Sequence, residues 1–595
     1  MFCLAFLLLL IMEKMIDFES MVTTMINKKD IIRLLEKIAI YMELKGENPF
    51  KVSAFRKAAA ALETDDRSLA EIDDMTKIAG IGKGTGAVIE DYIQTGESAV
   101  LKELQEEVPA GLVPLLQLPG LGGKKIAKLY KELNVESIED LQQVCEAKKV
   151  RELPGFGAKT EEKILAAIKE AGSRPERLPI AYMLPLAESI EQQLAEMKAV
   201  QQFSRAGSLR RLRETIKDLD FIIATENAAA VKEHLLKMTG IKEVIAAGDT
   251  KVSVVISGDW DVSVDFRIVT AEEFASTLHH FTGSKDHNVR MRQLAKERRE
   301  KISEYGVESA ETGKTTTFQT EEDFYHHFQL PWIPPEIRED GTEVEQFPGF
   351  GRLIQLSDIK GDVHMHTTWS DGAYSLEEMI EACRARGYDY MAITDHSRFL
   401  KVANGLSVER LLKQIEEIRQ LNARYNDIEI LSGIEMDILP DGTLDYEDDI
   451  LSQLDFVIAS IHSSFSQPQE TIMARLKTAL ENPYVDLIAH PTGRLIGRRD
   501  GYAVDMDQLI QLAKETNTAL ELNANPHRLD LCADHLKKAQ EAGVKIFINT
   551  DAHAIEHLDF MEVGAKAARK GWLRPETVVN TYNKEDFLAF INRNK

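Results

Sequence analysis

Two groups of side chains in this sequence have the types and spacing of metal-dependent phosphate chemistry. The larger lies beyond residue 360. There GDVHMHTTWSDG places His364 and His366 at i and i+2, side by side on one face of a strand, with Asp371 just after them. Later apolar runs end in further ligand types: TDHS supplies His396, GIEMD Glu435, ASIHSSF His462, IAHPTGR His490, and NTDAH both Asp551 and His553. One histidine in such a place is more often a satisfied core or surface residue. Nine ligand-type residues at successive strand ends point instead to a shared centre. Imidazole and carboxylate without thiolate suit Mn²⁺, Zn²⁺ or Fe²⁺ rather than a structural zinc.

The second group is GSLRRLRETIKDLD with SVDFRIV downstream. Asp218 and Asp220, at i and i+2, share one face if the segment is a strand, and Asp265 is placed to join them from a neighbouring strand. Three converging carboxylates with no adjacent lysine are costly unless cations neutralise them. Two Mg²⁺ or Mn²⁺ ions would do so while activating a hydroxyl and clamping a triphosphate for in-line displacement. Gly207, Ser208, Arg210 and Arg211 offer N–H, hydroxyl and guanidinium donors to the leaving phosphates. A solvated acidic strand end is the alternative, and spacing alone leaves both open.

The elements that must position these groups follow from the patterning. From Lys28 to about Ile168 apolar residues recur at helical spacing (Ile31, Leu34, Leu35, Ile38), which predicts an all-α region. One theme recurs in it: KIAGIGKGTGAVI, QLPGLGGKKIAKL and ELPGFGAKTEEKIL. Each is an apolar residue, a GxG turn (Gly80 and Gly82, Gly120 and Gly122, Gly155 and Gly157) and a helix start, where unpaired backbone N–H groups can meet an anion. The three copies resemble helix-hairpin-helix motifs, which grip the DNA backbone without reading sequence. Strand patterns in DLDFIIAT, KVSVVIS and DVSVDFRIV predict an α+β domain to about Arg267, on an antiparallel or mixed sheet. The acidic, Pro-containing stretch from about Glu304 to Gly351 reads as a linker that partly packs. Beyond Asp358, short strands alternating with amphipathic helices predict a (β/α) barrel.

Composition sets outer bounds. The chain has 595 residues, with 72 Lys plus Arg against 97 Asp plus Glu and a net charge of −25. That length allows several domains, and the acidity argues against coating nucleic acid by bulk charge while permitting binding by local geometry. The four cysteines are far apart with no CxxC pair, which excludes a disulfide framework or thiolate zinc site and makes a reducing cytoplasm the natural compartment. The apolar opening MFCLAFLLLLIM is twelve residues long, short of the roughly 20 needed to span a bilayer. It has no positive n-region, so residues 1–24 are expected to be a non-native extension rather than a signal or anchor.

On these motifs the chain resembles the family X DNA polymerases, of the bacterial type with a second catalytic domain, from Met25 onward. The resemblance implies a helical DNA-binding domain at 25–100, a fingers-like helical domain at 101–177, a nucleotidyltransferase palm at 178–267, a thumb at 268–320, a linker at 321–357 and a phosphoesterase domain at 358–595. It places the two-metal site at Asp218, Asp220 and Asp265. It puts Phe281, Thr282, Gly283 and Ser284 in a turn bordering the nucleotide sugar, with Asn288 and Arg292 on the minor-groove side. Many members have a tyrosine before this turn where the chain has His280. The Schiff-base lysine of lyase-active members is matched by Val88, so no lyase activity is expected from that motif. The C-terminal ligands resemble the polymerase and histidinol phosphatase (PHP) domain, a distorted (β/α)7-type barrel with a trinuclear centre associated in bacterial members with 3′-5′ exonuclease activity and sometimes abasic-site cleavage. Arg494, Arg498 and Arg499 are candidates for holding DNA phosphate there, or form a solvated basic loop. The expectation is a monomeric cytoplasmic repair enzyme acting on DNA and deoxynucleoside triphosphates, with no membrane partner. The alternatives are a DNA-binding scaffold that serves the nuclease beside a vestigial polymerase site, and a small-metabolite phosphatase.

Overall fold

The computed structural model describes residues 28–64, 72, 74–109, 111–116, 118, 121–171 and 175–594; the extension expected at 1–24 lies outside them. Their contacts define two compact units. One comprises residues up to 174 with 368–373 and 398–409, and the other comprises 175–367, 374–397 and 410–595.

The first unit is helical. Helices α1 (Lys28–Lys45) and α2 (Pro49–Thr64) bury Ile31, Leu35, Ile38 and Leu62 in one core, joined by Ile89 of α3 (Lys83–Thr95). A second core gathers Ile126 and Leu129 of α4 (Gly123–Leu133) with Leu141 of α5 (Ile138–Glu146) and Ile164 of α6 (Ala158–Ala171). The three- and four-residue spacing of these positions is what gives each helix one apolar face.

In the second unit, helix α7 (Ile180–Glu196) precedes a five-stranded mixed sheet built from β1 (Gln202–Arg205), β2 (Leu219–Ala224), β3 (Ile241–Ala247), β4 (Lys251–Ile256) and β5 (Val262–Val269) in the order β1-β2-β5-β4-β3. Strands β2 and β5 run parallel, with Asp220 directly opposite Asp265. Helices α8 (Phe274–Thr282) and α9 (Lys285–Glu297) lead into a small antiparallel sheet of β6 (Glu300–Ser303), β7 (Gly306–Ser309) and β8 (Thr315–Thr316). The stretch read as a linker does more than connect: α10 (Glu321–His327) and residues to Leu353 bury Phe324, Tyr325, Phe328, Ile333, Ile337 and Val344 in one core with Met291 and Val307. Its aromatic content made that packing possible, and its prolines and acidic residues masked it.

Seven strands then follow in sequential, parallel order: β9 (Gly361–Asp362), β10 (Tyr390–Ile393), β11 (Glu429–Asp437), β12 (Phe456–Ser460), β13 (Leu487–Ile488), β14 (Ala519–Asn523) and β15 (Ile546–Asn549). A parallel bridge between Met365 and Ala552 brings the first and last ends together, so the barrel is nearly closed. In several strands alternation puts apolar residues low on one face and polar ones toward the C-terminal end. Leu431 precedes Glu435, Ala519 precedes Glu521, and Phe547 precedes Asn549 on shared faces. Among the described residues no helix is long and apolar enough to cross a membrane.

The sheet and the helical layer beside it are joined by a buried triad. Glu321 accepts from Arg210 at 2.6 Å and from Arg338 at 2.8 Å. Burial opposes its ionisation, but Arg338 and Arg210 hold the carboxyl well below the usual carboxylate range. A depressed carboxyl stabilises the fold above its unfolded pKa of about 4, and this contribution is lost as the pH falls below that value. Glu321→Ala leaves two guanidinium groups without their anion and is expected to destabilise this unit by about 3–5 kcal/mol. In thermal melts, the midpoint of the unsubstituted chain should fall more steeply below pH ~4 than that of the variant.

Candidate active sites

At the palm, register does the positioning. Asp220 and Asp265 face each other across β2 and β5, and Asp218 stands one residue before β2, exposed rather than within the strand. Gly207 makes the close approach possible: it has φ +58°, and a Cβ there would lie 2.3 Å from Asp220 Oδ2. Burial, then the charges of Asp218 and Asp265, pushes Asp220 up to about 7. The expectation that no lysine adjoins the trio is corrected, because Lys251 Nζ pairs with Asp265 Oδ2 at 2.7 Å and Ser253 Oγ donates to Oδ1 at 2.6 Å. Both come from β4, which sequence reading left without a role. One ammonium does not balance three carboxylates, and Asp220 still carries the strain of its like-charged neighbours.

The arginines beside this trio are engaged within the fold. Arg210 donates to Thr282 Oγ1 at 2.7 Å as well as to Glu321, and Arg211 donates to the carbonyl of Thr282. They hold the turn Phe281–Ser284, in which Gly283 has φ +68° and a Cβ would sit 3.1 Å from Arg211 Nη1. Ser208 is half-buried at the start of its short helix. His280 packs edge-on against Phe281 at 4.9 Å, and burial lowers its pKa. Arg267 lies over the Phe281 ring at 4.4 Å, Asn288 Nδ2 donates to the His280 carbonyl at 2.8 Å, and Arg292 is exposed.

In the barrel the predicted ligands converge. His366, His396 and His553 form one group whose ligand atoms lie within 4.8 Å of one another; His364, His366 and Asp551 form a second, and His396, Glu435 and His462 a third, while Asp371 belongs to the first compact unit. His490 joins through Nε2, 3.0 Å from Glu435 Oε1. Glu435 is the hub, with Oε2 2.9 Å from His396 Nδ1 and 3.4 Å from His364 Nε2, and Oε1 3.2 Å from His462 Nε2. His364 Nε2 and Glu435 Oε2 are buried and make no hydrogen bond. Such atoms, aimed at a common centre, fit a set of divalent cations.

The charges agree with that fit. Burial opposes ionisation of Glu435, but His462, His396 and His364 hold it well below the usual carboxylate range. His462 resists burial and is pushed up to about 10 by Glu435 and Asp437. His366 is pushed down to about 3 by burial and by His553 and His396, so at neutral pH its lone pair is available to a metal.

Sequence reading missed the residues that aim these ligands. Buried Glu521 accepts from His364 Nδ1 at 2.7 Å and from the His490 backbone N–H at 2.8 Å, and Asp437 lies 3.2 Å from His462 Nδ1. Asn523 Nδ2 donates to Asp551 Oδ2 at 3.1 Å, and Arg528 Nε lies 3.5 Å from the same oxygen. A carboxylate inside the apolar strand ALELN was the available signal. Of the basic loop, Arg494 is taken up by Glu214 at 2.7 Å and by the Arg528 and Leu529 carbonyls. Arg499 lies 4.2 Å over the Phe465 ring, and Arg498 is exposed.

In the helical unit, Gly82 and Gly122 are the N-cap residues of α3 and α4, and the Gly157 carbonyl accepts from Thr160 and Glu161 at the start of α6. Gly80 and Gly155 take positive φ in the turns before α3 and α6; Gly120 lies outside the described residues.

Comparison with known proteins agrees with this division. Residues 26–98 match a helix-hairpin-helix domain, 112–170 a SAM-like helix-hairpin-helix tandem, 277–339 the DNA polymerase beta thumb and 362–525 the PHP domain. A Bacillus subtilis (strain 168) protein, DNA polymerase/3′-5′ exonuclease PolX, is 65% identical over 96% of this chain and 100% of its own length. The chain belongs to the PolX family. Probable phosphatases of Thermoanaerobacter sp. (strain X514) and Acetivibrio thermocellus are 31% and 30% identical over 37% and 39% of the chain, covering 89% and 95% of their own lengths. The PolX relative thus matches helical and palm regions as well as the barrel.

Two expectations follow for this PolX chain. Because Asp220 is half-protonated near pH 7, Mg²⁺ uptake at the palm should release a proton and tighten from pH 6 to pH 8. Calorimetric titration in buffers of different ionisation enthalpy should show that release, and Asp220→Asn should lose it. At the barrel, Glu521→Gln should weaken metal retention about 10- to 100-fold, read by chelator competition and elemental analysis.

Proposed function

We propose that this chain is a DNA polymerase that fills gaps by template-directed insertion and a 3′-5′ exonuclease that trims DNA ends at its PHP centre. The observation that carries the polymerase half is the Asp220–Asp265 register pair under Gly207, with the Phe281–Ser284 turn held beside it. Asp218, Asp220 and Asp265 would hold Mg²⁺ or Mn²⁺, which when bound activates the primer hydroxyl and clamps the triphosphate. The protein's own part is orientation. Gly207 lets Asp220 in, Ser208 faces the phosphates, and the turn with His280 contacts the sugar of the deoxynucleotide.

At the barrel, His364, His366, Asp371, His396, Glu435, His462, His490, Asp551 and His553 would hold Mn²⁺, Zn²⁺ or Fe²⁺. Glu521, Asp437 and Asn523 fix the orientation of their partners. Of the basic loop, exposed Arg498 would meet DNA phosphate, with Arg499 held beside it by the Gly493 carbonyl and the Phe465 ring. Gly82, Gly122 and Gly157, at their helix starts, would contact the DNA backbone through amide donors. Gap filling coupled to end trimming and abasic-site cleavage suits base excision repair in the cytoplasm.

Asp218→Ala with Asp220→Ala should cut insertion on gapped DNA by roughly a thousandfold or more while leaving 3′-end hydrolysis within about twofold. His364→Ala with His366→Ala should do the reverse. Insertion that survives the first pair would end the palm assignment, and hydrolysis of a free sugar phosphate in preference to DNA would favour a metabolite phosphatase.

A further inference from the structure

Helix α11 (Phe560–Lys570) packs on the outside of the barrel, and its last residue leaves it. Lys570 is largely buried, and its ammonium makes three hydrogen bonds, all outside the barrel. It donates to the Arg211 carbonyl at 3.0 Å, the Glu336 carbonyl at 3.2 Å and Glu339 Oε1 at 2.6 Å. An ammonium has three donors, so none is left for another partner.

Two of those partners lead directly to the nucleotide turn. The Arg211 guanidinium donates to the Thr282 carbonyl, and the Glu339 carbonyl accepts from Ser284 Oγ. The Arg338 carbonyl receives the Ser284 N–H at 3.2 Å. Thr282 and Ser284 flank Gly283, so both ends of the turn's central residue hang on groups that Lys570 holds. The same helix end is fixed independently, since Arg569 donates to buried Glu336 at 2.5 Å and Trp572 packs edge-on to Phe350 at 4.9 Å.

We propose that Lys570 of the PHP barrel is a positioning residue for nucleotide insertion, setting the Thr282–Ser284 turn through Arg211 and Glu339. The barrel is then a structural part of the polymerase site as well as the carrier of the nuclease. Nothing in the barrel's own chemistry uses this lysine, which makes no bond to a metal-ligand residue. The inference rests on reading the palm as the insertion site.

The test is single-nucleotide insertion into gapped DNA by the full chain. Lys570→Met should raise the KM for the deoxynucleotide roughly 10- to 100-fold and lower discrimination against ribonucleotides. Its 3′-5′ hydrolysis, measured on the same preparation, should stay within about twofold. Glu339→Gln should move the same two quantities in the same direction, and the double variant should show less than the sum of the two effects. Unchanged KM and discrimination in a Lys570→Met protein that retains hydrolysis would overturn the proposal. If Lys570→Met loses hydrolysis through misfolding, unchanged KM and discrimination in Glu339→Gln overturns it. Absence of insertion by the unsubstituted chain with hydrolysis intact would instead sink the polymerase reading, and this inference with it.

Discussion

Crowding of ionisable groups that only a rigid scaffold and shared cations can hold together is the constraint on which the rest of this structure depends. At the palm, two carboxylates face each other in register and a third adjoins them. At the barrel, imidazoles crowd around Glu435 and Asp551. Neither arrangement is favourable in a bare protein interior. Each persists because a rigid scaffold leaves the groups nowhere else to go and because cations can share the charge. The scaffold differs in the two places. The palm uses direct strand register and one glycine-permitted approach, whereas the barrel spreads its ligands over many strand ends and steadies them with Glu521, Asp437 and Asn523.

Much of this was legible in the sequence because the informative residues are locally patterned. The i and i+2 spacing of His364 and His366 marks them as a pair, though the strand itself ends at Asp362 and only Met365 between them makes a β-bridge, and the repeated GxG turns announce helix starts. Asp218 and Asp220 lie two apart, though only the second sits inside the strand. What stayed hidden was non-local. Lys251 reaches Asp265 only because β4 pairs with β5, and no spacing in the chain encodes that. Glu214 neutralises Arg494 across 280 residues, so a basic loop that read as a phosphate contact is partly spent on the fold. Arg210 and Arg211 likewise read as free donors and are held by Thr282 and Glu321. The region 321–357 read as a linker that partly packs, and how far it packs was not legible because its buried aromatics find their partners in distant helices.

A surface arginine and a buried one look alike in sequence, and the structure separates them by what they hold. Those that clamp loops, Arg210, Arg211, Arg338 and Arg494, are paired with carboxylates or carbonyls. Arg292 and Arg498 keep their guanidinium groups in solvent. The chain thus uses much of its basic content internally, which is one physical reason that its net charge says little about its partner.

The glycine-capped helix starts of the first unit carry a consequence for how the chain would respond to ionic strength. A phosphate held partly by backbone amides displaces fewer condensed counterions than one held by side-chain cations alone, with Lys83, Lys124, Lys125 and Lys159 in the first turns of these helices supplying the cationic share. Affinity built this way declines more gently with salt than affinity built from lysines and arginines. With a net charge of −25, the chain would also be repelled from bare duplex over long distances. Screening that repulsion offsets part of the salt penalty that those lysines bring, so a moderate electrolyte would weaken these hairpins less than it weakens competitors that cling by charge alone.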